Sequence, residues 1–295
     1  MIYFIILHYM VEKETEKCVD SILKLDGSKK IVIVDNCSPN DSFNKLNEYY
    51  INNKDVILLQ TSENLGFANG NNFGFNYVKE NFTDVDFIVA MNNDMEINQN
   101  DFCEKIYELY EQDKFFVLAP DVYSTSNKIH QNPEVRTIRT KEKILKELEH
   151  MKRITKKQLY IKAFLKKIPF LEKIVKSIKN RKIKNQAGYL EKQYNKTLHG
   201  SCLIFSRDFI DNRKYVFYPE TKFYCEAQIL DYECEKNSWL RVYSPEIKVL
   251  HHEDVATNAT YKSYVKKSIF MNNCMCKSLE AFKNLIDEDM KESKK

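Results

Sequence analysis

The sequence DFIVAMNND, residues 86–94, is an apolar run that stops abruptly at three small polar side chains. Five consecutive apolar residues at 87–91 are typical of a strand that is covered on both faces, as the strands of a parallel sheet are. Ligands of open parallel sheets bind just beyond the carboxyl ends of the strands, where Asn92, Asn93 and Asp94 would lie. A carboxylate beside amide oxygens suits a divalent cation that carries phosphates, but the same residues are common in turns for local reasons. Taken alone, the stretch favours a turn.

Strand and helix patterns alternate over the first 120 residues. Apolar runs of strand length lie at 2–7, 30–34, 55–59, 87–91 and 115–119, with helical patterns at 11–25, after residue 38 and at 101–112. This alternation predicts an α/β fold class with a doubly wound (Rossmann-like), mostly parallel central sheet flanked by helices.

The pattern changes near residue 127, and regular patterns resume at residue 197. Strand patterns lie at 199–205, 239–243 and 247–250, with helical patterns at 140–149, 223–234 and 261–285. Within the segment from residue 127 to residue 196, residues 159–175 mix bulky apolar side chains with lysines, and Pro169 would break or kink a helix there.

The segment between these two parts is strongly basic. Residues 136–196 contain 20 lysines and arginines against 5 glutamates and no aspartate, in a chain whose net charge is only +4. A basic segment on an otherwise acidic protein indicates an anionic partner, and residues 140–192 fit the headgroup region of an anionic membrane. A solvated charged face and a helix that binds a partner protein stay open as alternatives. Nucleic acid is not predicted, because no reader motif accompanies the charge.

The composition, with 43% hydrophobic and 30% charged residues, is that of an ordinary globular protein. The eight cysteines show no CxxC spacing, so reduced thiols are expected rather than zinc ligands or disulfides. The opening MIYFIILHYM is too short for a membrane span and lacks the basic n-region of a signal peptide, so it predicts a core strand. These features indicate a cytoplasmic protein, and the apolar residues Phe270, Met271 and Met275 leave a homodimer open.

Glycines recur at intervals of four in residues 64–74. This spacing matches neither the GxGxxG nor the GxxxxGK[ST] pattern, so neither a dinucleotide-binding fold nor a P-loop is predicted. Close approach of the backbone to a ligand or a helix start is one interpretation, and a glycine-containing loop without a ligand is the other. The spacing alone does not decide between them.

Several short motifs occur in a fixed order along the chain. They are IILHY at 5–9, VIVDNCS at 32–38, NLGFANGNN at 64–72, NND at 92–94, HGSC at 199–202, FYCE at 223–226 and VLHH at 249–252. In this order they resemble the motifs of family 2 glycosyltransferases with a GT-A fold, in particular the bacterial rhamnosyltransferase-like branch. The resemblance covers roughly residues 1–125 and 197–257.

The resemblance implies one GT-A domain that is interrupted by an insert. Residues 1–125 would form its nucleotide-sugar-binding half and residues 197–257 its acceptor and catalytic half. Residues 126–196 would then be a basic helical insert, and residues 258–295 a C-terminal helical segment.

The family implies an inverting transfer of a sugar from a nucleoside-diphosphate sugar, UDP- or dTDP-linked, to a hydroxyl of a glycan acceptor. A lipid-linked acceptor in bacterial surface polysaccharide (capsule) biosynthesis would place the enzyme at the inner face of the cell membrane. Mg²⁺ or Mn²⁺ held by Asp94 would neutralise the diphosphate leaving group. His251 resembles a histidine that completes the metal or diphosphate site. His252 is its rival one residue later, and a buried core histidine is the alternative for both.

The nucleotide-sugar contacts that the resemblance implies are His8, Asp35, Gly66, Asn72, Asn92, Asn93 and Asp94. Asp35 would accept a hydrogen bond from uracil or thymine, unless it is only a turn residue before a helix. Gly66 and Asn72 would form the floor of the nucleotide pocket.

An inverting transfer requires a carboxylate that takes the proton of the acceptor hydroxyl. Glu226 is the candidate, although Ala227 stands where the family usually has a second acid. Asp231 is the fallback, although its place in a helical pattern favours a solvated surface residue. Ala227 and Asn92 keep a second hypothesis open, a degenerate GT-A domain that acts as a scaffold in a polysaccharide-assembly complex. A sugar-phosphate nucleotidyltransferase is less supported, because HYMVE at 8–12 is not a glycine-rich basic loop.

Overall fold

The computed structural model describes residues 1–134, 140–166, 187–253 and 263–292. The strands are β1 (Ile2–His8), β2 (Lys29–Asp35), β3 (Val56–Gln60), β4 (Phe87–Asn92), β5 (Met95–Glu96), β6 (Val117–Ser124), β7 (Ile129–His130), β8 (Gln193–Tyr194), β9 (Cys202–Ser206) and β10 (Arg241–His251). The helices are α1 (Glu12–Leu23), α2 (Ser42–Tyr50), α3 (Gly66–Asn81), α4 (Phe102–Asp113), α5 (Lys141–Lys152), α6 (Lys156–Lys166), α7 (Arg207–Asn212), α8 (Glu226–Lys236) and α9 (Tyr264–Glu292), with a short 3₁₀ helix at Ala187–Leu190.

These strands join one sheet in the order β3-β2-β1-β4-β9-β6-β10-β5, with β7 beside β6 and β8 beside β10. Strands β1 to β4 run parallel to one another, and β6 runs parallel to β10. Strand β9 is antiparallel to both β4 and β6, so the long strands on its two sides point the same way. The predicted α/β fold with a mostly parallel sheet is confirmed. The reversed strand in its centre is not visible in the strand and helix alternation.

Two apolar layers, one on each face of the sheet, form the core. The side chains of β1 alternate between them. Phe4 and Ile6 belong to the layer that packs against α1, α2 and α4, while Tyr3 and Ile5 belong to the layer that packs against α3, α7 and α8. Since both faces are covered, the strand is apolar from Ile2 to Leu7, as is typical of parallel sheets.

Two strand boundaries differ from the prediction. Strand β10 is a single strand where two strands were expected. Its ladder with β6 is interrupted between Ser244 and Lys248 and then resumes within the same strand. Pro245, which has no N–H to donate, lies in the interruption. The strand expected at 115–119 runs from Val117 to Ser124, because the resumed ladder extends it beyond that range.

A helical layer joins the predicted insert to the end of the chain. Ile144 and Leu148 of α5 pack with Leu279 and Phe282 of α9, and Ile229 of α8 completes this cluster. The helix expected at 140–149 is confirmed as α5. Helix α6 covers the start of the pattern at 159–175, of which residues 167–175 lie outside the described residues. In the described ranges, no helix combines the length and the apolar character that crossing a membrane requires.

The glycines at 66, 70 and 74 lie on helix α3 and not in a loop, so the loop interpretation is wrong. A Cβ atom added to Gly70 would lie 2.5 Å from Leu7 Cδ1, and one added to Gly74 would lie 2.7 Å from Ile5 Cγ2. The interval of four residues therefore places these two glycines on the side of α3 that packs closely against β1.

Gly66 begins α3 with φ at +80°, a conformation that glycine adopts without strain. A Cβ atom there would lie 2.4 Å from both Cγ and the carbonyl oxygen of Lys222. Phe67 N donates a hydrogen bond to that same oxygen at 2.6 Å. The absence of a side chain at Gly66 thus lets the segment around Lys222 close over the start of α3.

We expect Gly66→Ala to lower the free energy of unfolding by about 1–3 kcal/mol, because the new methyl group meets backbone and the backbone conformation is strained. Urea unfolding followed by circular dichroism measures this change. Gly200→Ala is the matched control, because a Cβ atom there meets only Ala227 Cβ at 3.6 Å. Equal stabilities of the two variants would contradict the role given to Gly66.

Candidate active site

A cavity of about 740 Å³ opens where β1, β4 and β10 end and β9 begins. Its lining includes Asn92, Asn93, Asp94, His199, Glu226 and His251. The structure therefore brings together at one edge of the sheet five of the residues that the sequence analysis selected, together with His199. Because β9 is antiparallel to its neighbours, the residues that precede it lie at this same edge.

Asp94 lies in the tight turn between β4 and β5, so the turn expected at 92–94 is present, and it faces the cavity. Strand β5 pairs antiparallel with the end of β10, which sets Met95 opposite His251. His252 N donates a hydrogen bond to the carbonyl oxygen of Asp94 at 2.9 Å. This short ladder fixes the two segments side by side, although they are far apart in the sequence.

The Asp94 carboxylate and the His251 imidazole face each other inside the cavity. Asp94 Oδ1 lies 3.3 Å from His251 Nε2, and the two residues are 8% and 7% exposed. Within the described part of the chain, Asp94 Oδ1 is buried without a hydrogen-bond partner. Buried polar atoms are usually satisfied, so this oxygen lies where a ligand would provide its partner.

Of the two adjacent histidines, only His251 lines the cavity. His251 Nδ1 lies 2.7 Å from Gln131 Oε1, which leaves Nε2 directed at Asp94. His252 turns the other way, and its Nε2 lies 2.9 Å from Glu96 Oε2. The structure thus separates two residues that the sequence could not.

The donor set at this point is small. No group of three or more His, Cys, Asp or Glu side chains in the described ranges is arranged to hold a metal ion. Mg²⁺, however, keeps several waters and is usually bound by one or two carboxylates together with substrate phosphates. Asp94, with its unpaired oxygen, and His251 fit a cation site of that kind.

His199 is a site residue to which the sequence analysis gave no role. Its ring Nδ1 lies 2.7 Å from Ser201 Oγ, and its backbone N–H donates a hydrogen bond to Asn132 Oδ1 at 2.6 Å. Burial and the neighbouring His251 lower its pKa to about 4. His199 is therefore a neutral imidazole at neutral pH. Its position follows from the reversal of β9, for which the local sequence carries no signal.

Glu226 is the first residue of α8 and lines the cavity. The helix begins here and not at residue 223, because Tyr224 and Cys225 have φ values of 73° and 68°, outside the right-handed helical region. Glu226 is 7% exposed, and its Oε1 has no hydrogen-bond partner among the described residues. Burial raises the pKa of its carboxyl group to about 7, against backbone hydrogen bonds that lower it.

Asp231 does not line the cavity. Its Oδ1 lies 3.0 Å from Arg241 Nε, and its Oδ2 accepts a hydrogen bond from Thr197 at 2.9 Å. The expectation that Asp231 is a solvated helix residue is wrong, because the residue is only 1% exposed. This carboxylate ties α8 to β10 inside the protein.

Two strand-end residues predicted to contact the nucleotide are held in the core. His8 lies 2.7 Å from Thr15 Oγ1 and 2.9 Å from Ser42 Oγ, and burial lowers its pKa to about 4 despite the nearby Asp35. Asp35 accepts a hydrogen bond from Gln60 Nε2 at 2.9 Å and is fully buried. Neither residue lines the cavity.

Asn72 and Gly66 also lie outside the cavity lining. Asn72 Oδ1 accepts hydrogen bonds from the N–H groups of Val216 and Phe217 at 2.9 and 3.0 Å, and its Nδ2 donates to Phe217 O at 2.8 Å. This amide joins α3 to the segment before α8, and Gly66 allows the same segment to close. Both residues support the wall of the cavity from behind.

Three polar residues that the sequence analysis did not select line the cavity beside the strand ends. They are Tyr9, Asn36 and Asn64. Asn36 Oδ1 accepts a hydrogen bond from Leu65 N at 2.8 Å, and its Nδ2 donates to Gly66 O at 3.0 Å. Tyr9 and Asn36 directly follow His8 and Asp35 in the sequence. The residues that line the cavity are therefore one position after the ones that were predicted.

The fold and the strand-end site can now be compared with known proteins. The sequence model described as glycosyl transferase family 2 matches residues 3–210, which is more than half of the chain. The chain belongs to glycosyl transferase family 2. The search of curated proteins gave no match.

Solved glycosyltransferases share the fold. The structure of S. aureus TarS 1-349 in complex with UDP-GlcNAc matches with a TM-score of 0.52 at 15% identity, over 88% of this chain and 61% of that one. The Pyrobaculum calidifontis mannosyltransferase PcManGT, in complex with GDP-Man and Mn²⁺, matches with a TM-score of 0.53 at 11% identity, over 96% and 70% of the two chains. The chain spans less than two thirds of the TarS structure. At these identities the likeness concerns the fold alone, which is that of GT-A glycosyltransferases.

We expect Glu226→Gln to stabilise the folded protein at pH 8 by about 2 kcal/mol and to have little effect at pH 4. The raised pKa means that the folded protein keeps a proton that the unfolded chain releases. This contribution to stability is complete below about pH 4.5 and is lost as the pH rises through about 7, where a glutamine has no charge to bury. Urea unfolding at pH 4, 6 and 8 measures the difference. Glu220→Gln, at an exposed position, is the control, and a difference that does not change with pH would refute the expectation.

Proposed function

We propose that the chain is a metal-dependent inverting glycosyltransferase that moves a sugar from a nucleoside-diphosphate sugar to a hydroxyl of a glycan acceptor. The observation that supports this most is that one cavity contains both the Asp94–His251 pair and Glu226. Asp94 Oδ1 has no hydrogen-bond partner among the described residues, and the pKa of Glu226 is raised to about 7. The Asp94–His251 pair is suited to binding a cation that carries the diphosphate, and Glu226 is suited to accepting the proton of the acceptor hydroxyl. Family membership supports sugar transfer from a nucleotide sugar.

Glu226 acts as the general base in this mechanism. As the acceptor oxygen forms its bond to the anomeric carbon, the bond from that carbon to the diphosphate oxygen breaks, and the acceptor proton passes to Glu226. A pKa near 7 lets the carboxylate accept a proton close to neutral pH. Attack from the side opposite the leaving group inverts the anomeric configuration.

Asp94 and His251 hold the leaving-group side. Together they would bind Mg²⁺ or Mn²⁺, which supplies charge neutralisation for the diphosphate when bound. His199, neutral and adjacent to His251, adds no charge of its own to this side. With one carboxylate beside His251, the substrate phosphates and water would supply the remaining ligands of the cation.

Lys222 provides a second positive charge at the cavity. Among the described residues that line the cavity, Lys222 is the one lysine or arginine. Apart from the histidines, the other charged lining residues are aspartate and glutamate. No ion pair to Lys222 is formed by the described residues, and its main chain is held by Phe67 N. We assign its side chain to the diphosphate, where it compensates for Asn92 in place of an acid.

The donor and the acceptor occupy different sides of the cavity in this proposal. Tyr9 and Asn36, which follow β1 and β2, and Asn64, which lies between β3 and α3, contact the nucleoside, with UDP or dTDP as the carrier. Phe270 and Met275 of α9 line the other side together with Glu226, and they form an apolar wall for the acceptor.

A lipid-linked acceptor of a bacterial surface polysaccharide fits the basic segment at 140–192. Among its described residues, α5 and α6 carry exposed lysines beside the exposed Tyr160 and Ile161. Such a surface would bind the anionic headgroups on the inner face of the cell membrane, each basic residue contributing about 1 kcal/mol. The protein would then be cytoplasmic and peripheral to the membrane.

A second candidate function is a catalytically degenerate GT-A domain that serves as a scaffold. Ala227 in place of an acid favours it, and so does the small donor set, since no larger metal-ligand group occurs in the described ranges. A scaffold would bind neither metal nor nucleotide sugar, which separates the two candidates by experiment.

We expect UDP with Mn²⁺ to raise the melting temperature of the wild-type chain, since ligand at 100 times its Kd adds about 2.7 kcal/mol to stability. Asp94→Ala should lose this shift because it removes the carboxylate ligand. Glu226→Gln should keep the shift but lose at least about 99% of nucleotide-sugar hydrolysis and transfer, because it removes only the base.

The hydrolysis screen uses UDP- and dTDP-sugars with Mn²⁺, and Glu220→Gln serves as the exposed control. Full activity of Asp94→Ala and Glu226→Gln would contradict the assignment of the site. An unchanged melting temperature of the wild-type chain, without hydrolysis of any donor, would favour the scaffold.

We expect Lys222→Ala to weaken the binding of UDP with Mn²⁺ about twofold to fivefold, as the loss of one exposed charge contact does. Lys222→Arg should keep most of the affinity, and the difference should fall as salt is added. Isothermal titration calorimetry at two salt concentrations measures both effects. Lys214→Ala, exposed and outside the cavity lining, is the control, and an equal loss in that variant would remove the specific role of Lys222.

A further inference from the structure

A chain of neighbouring polar side chains runs along the cavity lining from Asp94 past His251. Asp94 Oδ1 lies 3.3 Å from His251 Nε2, and His251 Nδ1 lies 2.7 Å from Gln131 Oε1. Gln131 Nε2 then donates to Glu253 Oε1 at 2.7 Å, and Asn127 Nδ2 donates to the other oxygen of that carboxylate. No sequence motif singled out Gln131 or Glu253.

The direction of each hydrogen bond follows from Glu253. A carboxylate only accepts hydrogen bonds, so the group that faces it must be the NH₂ of Gln131. The amide oxygen of Gln131 therefore faces His251, and an oxygen requires the proton to be on Nδ1. The Nε2 atom of the neutral ring then carries a lone pair.

That lone pair points at an atom that is also an acceptor. Asp94 Oδ1 has no hydrogen-bond partner within the described residues and lies 3.3 Å from Nε2. Two facing acceptors in a buried position are unfavourable unless a cation or a proton lies between them. Metal-bound histidines commonly donate their other ring N–H to an oxygen, which fixes the tautomer and the orientation of the ring.

We infer that Gln131, held by Glu253, is a positioning residue that fixes His251 in the Nδ1–H form and keeps Nε2 available to a divalent cation at Asp94. This inference rests on the proposed function for the identity of the ligand. It extends the site to the segment that follows β6, where Gln131 also lines the cavity.

The main chain around His251 is held by the same segment. Thr125 N donates to the carbonyl oxygen of His251 at 3.0 Å, and Ser126 Oγ donates to that of His252 at 3.2 Å. Gln131 N donates to Val122 O at 2.8 Å, which fixes the backbone of the glutamine to β6. The backbones that carry His251 and Gln131 are therefore both tied to β6 and the segment that follows it.

The test has one readout without metal and one with it. In the metal-free wild-type chain at pH 8, ¹⁵N NMR of the histidine ring nitrogens should find His251 protonated at Nδ1 and bare at Nε2. In Gln131→Ala the two tautomers should mix. Electron paramagnetic resonance of Mn²⁺ in the presence of UDP should then find metal affinity weakened about 10- to 100-fold in that variant.

The pair can also be exchanged. Gln131→Glu combined with Glu253→Gln keeps an acceptor facing Nδ1 and a donor facing that acceptor, so it should restore the tautomer and most of the Mn²⁺ affinity. Gln131→Glu alone places two carboxylates next to each other, so it should restore neither the tautomer nor the Mn²⁺ affinity fully. Gln112→Ala, exposed on α4, is the control and should leave both readouts unchanged.

Protonation of His251 at Nε2 in the metal-free wild type would overturn the inference, and so would an unchanged tautomer in Gln131→Ala. The NMR readout needs neither metal nor nucleotide. A wild-type chain that binds no Mn²⁺ but has the predicted tautomer would therefore refute the proposed function while keeping the positioning role of Gln131.

Discussion

Two residue pairs of antiparallel ladder, between β5 and the end of β10, hold the site together. They join the turn after β4 to the end of a strand that lies more than 150 residues later in the chain. Because Met95 pairs with His251, the Asp94 carboxylate comes within 3.3 Å of an imidazole. The sheet order places these segments near each other, but only this ladder fixes their register. The approach of Asp94 to His251 inside the cavity depends on it.

Polar residues at this edge of the sheet divide into two groups. His8, Asp35 and Asn72 have their hydrogen bonds satisfied within the protein, and they hold strands and helices in place. Asp94 and Glu226 each keep a buried oxygen without a partner in the described residues. Burying an unpaired polar group costs stability, so the second group marks the positions where folding alone does not account for the residue type.

The sequence predicted the fold better than the site, for a physical reason. An apolar run such as 87–91 predicts its own strand, because burial on two faces requires those side chains locally. The reversed strand at 202–206 is equally apolar, so nothing in it shows its direction or that His199 reaches the cavity. Asp231 carries the same carboxyl group as Glu226, and only the presence of Arg241 beside it separates a structural ion pair from a catalytic candidate.

The segment that carries Glu226 is attached to α9, which lies beyond the residues that match the family. Ser278 Oγ donates to Phe223 O at 2.8 Å, and Cys225 Sγ lies 3.6 Å from Met275 Sδ. Because α9 also packs on α5, a rigid connection runs from the outer helices to the loop that positions the carboxylate. A displacement of those outer helices would therefore also displace the loop that carries Glu226.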